Sequence, residues 1–288
     1  MRPLRLLRPL HPLPSCGARR PSVVAAVLWF VVATAGVMTL IAVTHALRPG
    51  AQTDIVNAVA CQAIAYFATI LLAVRVHGGN RALADIFALR KTHPIFFLLG
   101  GLLGVCLQIP AELLQRLVFR FLPMDPQSLE MQSEMLRMDS LVSRIMIPIV
   151  VIGLGPFVEE LFFRGLLFGG MRRSHGVGFT CFMVAVLFAG AHGSIQLFVP
   201  LLVIGGAITL VRAVSGSVGP GLVAHFCFNA IPILGIAFGW IRFDSDPTPL
   251  PWTISVGGVL ATMLILAAFV MLSLRSQAAV RARQEDLR

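Results

Sequence analysis

The stretch Phe157 to Leu167, FVEELFFRGLL, sets two adjacent glutamates and an arginine within an apolar part of a 288-residue chain that is 57% hydrophobic and 12% charged. Charges in such surroundings are costly unless they pair or face a wet cavity, so they mark a candidate site. Glu160 and Arg164 are four residues apart, the favoured order for an ion pair on one helix face. Glu159 then points about 100° away and is left free for acid or base work. Structural ion pairing is the alternative for these residues taken alone, and a functional role is favoured over it. Two further stretches add partners: VLFAGAH puts Phe188 and His192 four apart, and VAHFCFNA does the same for His225 and Asn229. A lone histidine in an apolar helix is more often structural, but three such segments in succession are harder to dismiss. Glutamate, two histidines and an amide are equipped to activate water and stabilise an oxyanion, or to bind a metal.

The elements that must position these residues are membrane helices. Mean hydropathy is +0.86, far from the soluble norm. Runs long enough to cross a bilayer predict an all-α, polytopic bundle with about eight spans, at 23–47, 55–74, 94–109, 141–170, 176–191, 197–214, 218–240 and 252–274. Pro148, Gly153, Gly155 and Pro156 predict a kink in the long fourth span. The organisation expected is a basic disordered tail over 1–22, N-terminal helices and an outer amphipathic loop over 23–140, a core over 141–240, and a last helix with a basic tail over 241–288. The net charge of +10 is carried by arginine, Lys91 being the sole lysine. Arg75, Arg81, Arg90, Arg172, Arg173, Arg212, Arg275, Arg281 and Arg283 fall on one side with the N-terminal tail. Both termini are therefore expected in the cytoplasm, with anionic lipid at the basic loops and no nucleic-acid partner.

Other features carry less. The segment 110–140 reads as amphipathic helix at the outer interface, with Met131, Met135 and Met138 as a packing stripe. Gly100 with Gly104, and Gly165 with Gly169, predict close helix approach. SGSVGPG at 215–221 lacks the lysine and spacing of a phosphate loop and reads as a turn and helix start. Cys16, Cys61, Cys106, Cys181 and Cys227 show neither disulfide nor zinc spacing.

On EELFFRGLL, LFAGAH and HFCFN, in that order, the chain resembles the CPBP family (Abi, or type II CAAX prenyl endopeptidase-like) of intramembrane proteases, with their EExxxR, FxxxH and HxxxN motifs, over about 145–235. The resemblance implies that Glu159 and His192 hold and deprotonate the attacking water. It implies that His225 and Asn229 polarise the scissile carbonyl, that Glu160 and Arg164 fix the helix, and that Phe188 shapes the pocket. No serine or cysteine nucleophile is implied, which sets Ser194 and Cys227 aside. A metal-free site is favoured; zinc held by Glu159, His192 and His225 is the alternative. The expected partner is a membrane-embedded or lipid-anchored peptide, in a protein of a bacterial cytoplasmic membrane. A proton- or ion-coupled transporter and a non-catalytic immunity or scaffold protein are the rival functions.

Overall fold

A computed structural model describes residues 22–79, 82–241 and 250–285, with side chains up to residue 278. The tail expected over 1–22, apart from Ser22, lies outside the described residues, as do Cys16, Arg81, most of the 241–251 loop and the side chains of Arg281 and Arg283. Every regular element among the described residues is helical. Seven segments are long and apolar enough to cross a membrane: Val23–Leu47 (α1), Ile55–His77 (α2), Pro94–Phe121, Leu141–Met171 (α6), Ile195–Ser215 (α8), Gly219–Ala237 (α9) and Trp252–Ala278. The eighth candidate is the shorter apolar helix Val177–Ala191 (α7). The last helix, α10, continues past the expected span as Trp252–Glu285. The chain is an all-α, polytopic helix bundle of an integral membrane protein.

Local signals set where these helices begin. Ser22 caps α1, accepting from the Ala25 N–H at 3.2 Å. Asp54 caps α2, accepting from the N–H groups of Val56 and Asn57 at 3.0 and 3.1 Å. Burial alone would raise the Asp54 carboxyl, but the Arg48 guanidinium and those amides outweigh it and hold it below its ordinary value. The third span is broken only at Leu107, between Pro94–Cys106 (α3) and Gln108–Phe121 (α4). Pro110 has no N–H to give the Cys106 carbonyl, which accounts for a break there. AELLQRLVFRFL thus prolongs α3 beyond the expected span and packs against α8 and α10. Only Pro126–Met135 (α5) stands apart, with no buried residue. The methionine stripe divides accordingly: Met131 is exposed, whereas Met138, beyond the helix end, is buried with Ile147 and Ile233.

The helices pair as α1 with α2, α3 with α9, α7 with α8, and α4 with α8. Around the middle of α6 lies the main core, where Val158, Phe162 and Phe163 are fully buried. Tyr66 meets Phe162 at 4.7 Å between ring centroids, and Phe163 meets Phe188 at 5.4 Å. Such pairs contribute about 0.5–1.5 kcal/mol each beyond burial. In lipid, helix association depends on close packing, and α3 meets α9 through glycine. A Cβ at Gly100 or Gly104 would intrude on the carbonyl oxygens of Pro220 and Ala224. Gly104→Val is therefore expected to push α9 away and destabilise the fold by about 1–3 kcal/mol. Thermal unfolding in detergent measures it, and activity should fall too, because Ala224 precedes His225.

The kink expected at Pro148–Pro156 takes a specific form. The fourth span changes from α-helix (Leu141–Pro148) to π-helix (Ile149–Leu154), α-helix (Gly155–Glu159), π-helix (Glu160–Leu167) and α-helix (Phe168–Met171). Gly155 donates its N–H to Val150 and Phe168 to Phe163, five residues back in each case. π-Segments are uncommon and occur mostly at functional sites.

Candidate active site

Glu159 and Glu160 sit at the junction of an α-turn and a π-segment, 7% and 0% exposed. The carboxylate of Glu160 is held by Arg164 of its own helix and by His225 of α9. On its own helix, Arg164 Nη1 donates to Glu160 Oε1 at 3.0 Å. The other guanidinium nitrogens are fixed by α8: Nη2 donates to the Gly205 carbonyl at 3.0 Å and Nε to Thr209 Oγ1 at 3.1 Å. Phe188 of α7 lies beneath, its centroid 4.4 Å from Arg164 Cζ. A fully buried guanidinium needs this many partners, because each unpaired donor forfeits its hydration. Arg212 adds one support, donating Nε to the Arg164 carbonyl at 3.2 Å.

His225 of α9 joins the two glutamates. Its Nδ1 lies 3.0 Å from Glu160 Oε1, and because a carboxylate only accepts, Nδ1 is the donor. Its Nε2 then faces Glu159 Oε2 at 3.7 Å, within ion-pair range but longer than a hydrogen bond. From its position in α9, His225 should lie nearer the Arg172–Arg173 end than Glu159 does. α9 does begin at Gly219, near the expected start, so the meeting reflects helix geometry. The π-segment after Glu159 is wider and rises less per residue than an α-helix, bringing the glutamates towards that end.

His192 and Asn229 are placed differently. His192 caps the end of α7 and is exposed. Its Nδ1 lies 2.9 Å from the Phe188 carbonyl, which accepts, so Nε2 of the neutral ring is left with a lone pair. The Phe188 ring stands between the histidines, 4.9 Å from His192 and 5.7 Å from His225. Asn229 donates Nδ2 to the Val151 carbonyl at 2.9 Å. In the i→i+5 pattern that carbonyl would accept from residue 156, which is a proline. Asn229 therefore repairs a hydrogen bond that Pro156 removes, with its second amide proton in reserve. Asn229→Ala is expected to cost about 1 kcal/mol of stability by leaving the part-buried Val151 carbonyl unpaired. Chemical unfolding in detergent checks this separately from any effect on activity.

Among the described residues, no three His, Cys, Asp or Glu groups are placed to hold a metal ion. Glu159 and His225 approach one another, but exposed His192 is not gathered with them, so this arrangement does not fit a three-ligand zinc site. Ser194 is the N-cap of α8, accepting from Leu197 N–H at 3.3 Å. Cys227 packs at the α3 glycines, and the SGSVGPG stretch is a turn, with Gly216 at φ +70°, leading into α9. The Gly205–Thr209 cradle and Gln62, whose Nε2 donates to Glu159 Oε1 at 2.8 Å, are absent from the sequence reading. A glutamine and a threonine in apolar helices are neutral residues with no spacing to any motif; the intramembrane position of Gln62 is the one signal that singles it out.

No curated protein and no solved structure matches the chain. Residues 141–231, which include every glutamate, histidine, arginine and asparagine of the cluster, match the family model described as type II CAAX prenyl endopeptidase Rce1-like. Over those residues the chain is thus similar to the Rce1-like type II CAAX prenyl endopeptidases, a likeness that covers the cluster and not the helices before it.

Proposed function

We propose that the protein, in general class a CAAX-protease-type membrane endopeptidase, hydrolyses peptide bonds with Glu159 as the base. The observation that carries this reading is the convergence of Glu159, Glu160, Arg164 and His225 in one buried cluster inside the family-matched segment. Water held at Glu159 Oε2 attacks the scissile carbonyl carbon. The proton passes to Glu159, and His225 Nε2, on its far side, shares it. The second Asn229 amide proton stabilises the oxyanion. The carbon–nitrogen bond then breaks and the leaving amine takes the proton back. These steps use side chains alone. The substrate class is a membrane-embedded or lipid-anchored peptide, with anionic lipid at the Arg172, Arg173 and Arg212 end.

Orientation follows from parity. If α7 crosses together with the seven longer helices, both termini lie on the arginine-rich, cytoplasmic side. The deciding experiment compares cleavage products in the membrane proteome of cells carrying the wild-type protein and Glu159→Ala. Intact substrates should accumulate with the variant; identical product sets would end the endopeptidase reading.

A further inference from the structure

Among the described residues, a hydrogen bond from α2 reaches this cluster from outside the family-matched segment. Gln62 stands 97 residues before Glu159 and donates Nε2 to its Oε1 at 2.8 Å. The approach is built by both helices. Gly155 has no side chain where α2 crosses, and a Cβ there would stand 3.6 Å from Val59 Cγ1 and 3.9 Å from Gln62 Oε1. One turn further along α2, Tyr66 is buried against Phe162 and Phe163, fixing the helix face that presents Gln62. At the other end, Asp54 caps α2 and pairs with Arg48.

The two oxygens of Glu159 are thereby made unequal. Oε1 is occupied by an amide donor, while Oε2 faces His225 Nε2 at 3.7 Å. A carboxylate with free rotation about its last torsion would divide its time between productive and unproductive orientations. One with Oε1 tied keeps Oε2, with its lone pairs, towards the reacting water. A neutral donor also does this without neutralising the base, as an arginine at the same place would.

We propose that Gln62 is a positioning residue for Glu159, so that α2, beyond the family-matched segment, completes the active site. The role rests on the endopeptidase reading of Glu159. It acts on the chemical step rather than on substrate affinity. The test uses the full-length protein in detergent and a peptide spanning a cleavage site found in the membrane-proteome comparison. Gln62→Met, an unbranched apolar replacement of similar length, is expected to lower kcat roughly 10- to 100-fold, the loss expected of one hydrogen bond to a charged group. KM and the unfolding temperature should stay close to wild type, and Gln62→Asn, which keeps the amide but shortens its reach, should fall between. A parallel fall in kcat and unfolding temperature in both variants would assign Gln62 a structural role and overturn the proposal.

A second measurement needs no substrate. Infrared difference spectra between the protein and its Glu159→Gln variant isolate the Glu159 carboxyl band, recorded once with Gln62 in place and once with Gln62→Met. The band should move when the amide donor is lost. A band unmoved by Gln62→Met removes the contact, and the proposal with it. If wild type and Glu159→Gln cleave alike, it is the endopeptidase reading that falls, and the catalytic consequence of Gln62 falls with it, even if the band moves.

Discussion

Glutamine in place of Glu159 is expected to preserve the site and remove its chemistry. The side chain keeps its length, and its Oε1 still accepts from Gln62 Nε2 if the amide turns its oxygen that way. What is lost is a group able to take a proton from water. General-base catalysis contributes roughly 10²- to 10⁴-fold, so kcat should fall by that range with KM little changed. The unfolding temperature should not decrease, because the variant removes a buried charge and leaves no new unpaired group. A variant that retains activity within tenfold of wild type would show that another group is the base.

The second large effect concerns stability. Arg164→Met strips Glu160 of its charged partner in a place with no access to water, both groups being 0% exposed. Breaking a buried pair from one side costs about 3–5 kcal/mol, enough to abolish folding in many domains. Removing both charges, as Glu160→Leu with Arg164→Met, should restore much of the lost stability, since the desolvation penalty disappears with the charges. Activity should not return, because His225 loses the acceptor for its Nδ1 proton and with it the orientation of Nε2. A double-mutant cycle followed by thermal unfolding and by hydrolysis separates these effects. Arg164→Lys is not a conservative test here: one ammonium cannot reach Glu160, Thr209 and the Gly205 carbonyl in the geometry of a planar guanidinium.

Much of this architecture was legible because hydropathy and charge are properties of short windows. The spans at 23–47 and 55–74 could be read from length alone, and the spacing of Glu160 and Arg164 carries their contact locally. The break at Leu107 and the continuation to Phe121 were less visible. There the polar residues of α4 end the apolar run, while the helix goes on and leans on α8 and α10. The π-segments were also hidden, since composition does not distinguish them from α-helix; proline and glycine announced an irregularity without its form. Gln62 escaped for a different reason. Its meaning lies in a contact with Glu159 across 97 residues, which no local pattern encodes.

The hydrogen bond from Asn229 to Val151 has a bearing on biogenesis. Pro156 leaves Val151 with a carbonyl that its own helix does not satisfy, and the donor lies 78 residues later, on α9. Arg164 likewise waits for Gly205 and Thr209 on α8. During synthesis, α6 must therefore emerge before its polar groups have partners, so it is the span least able to settle alone in lipid. Its final placement depends on the later arrival of α8 and α9, so the assembly step that seats this helix is also the one that gathers Glu160, Arg164 and His225.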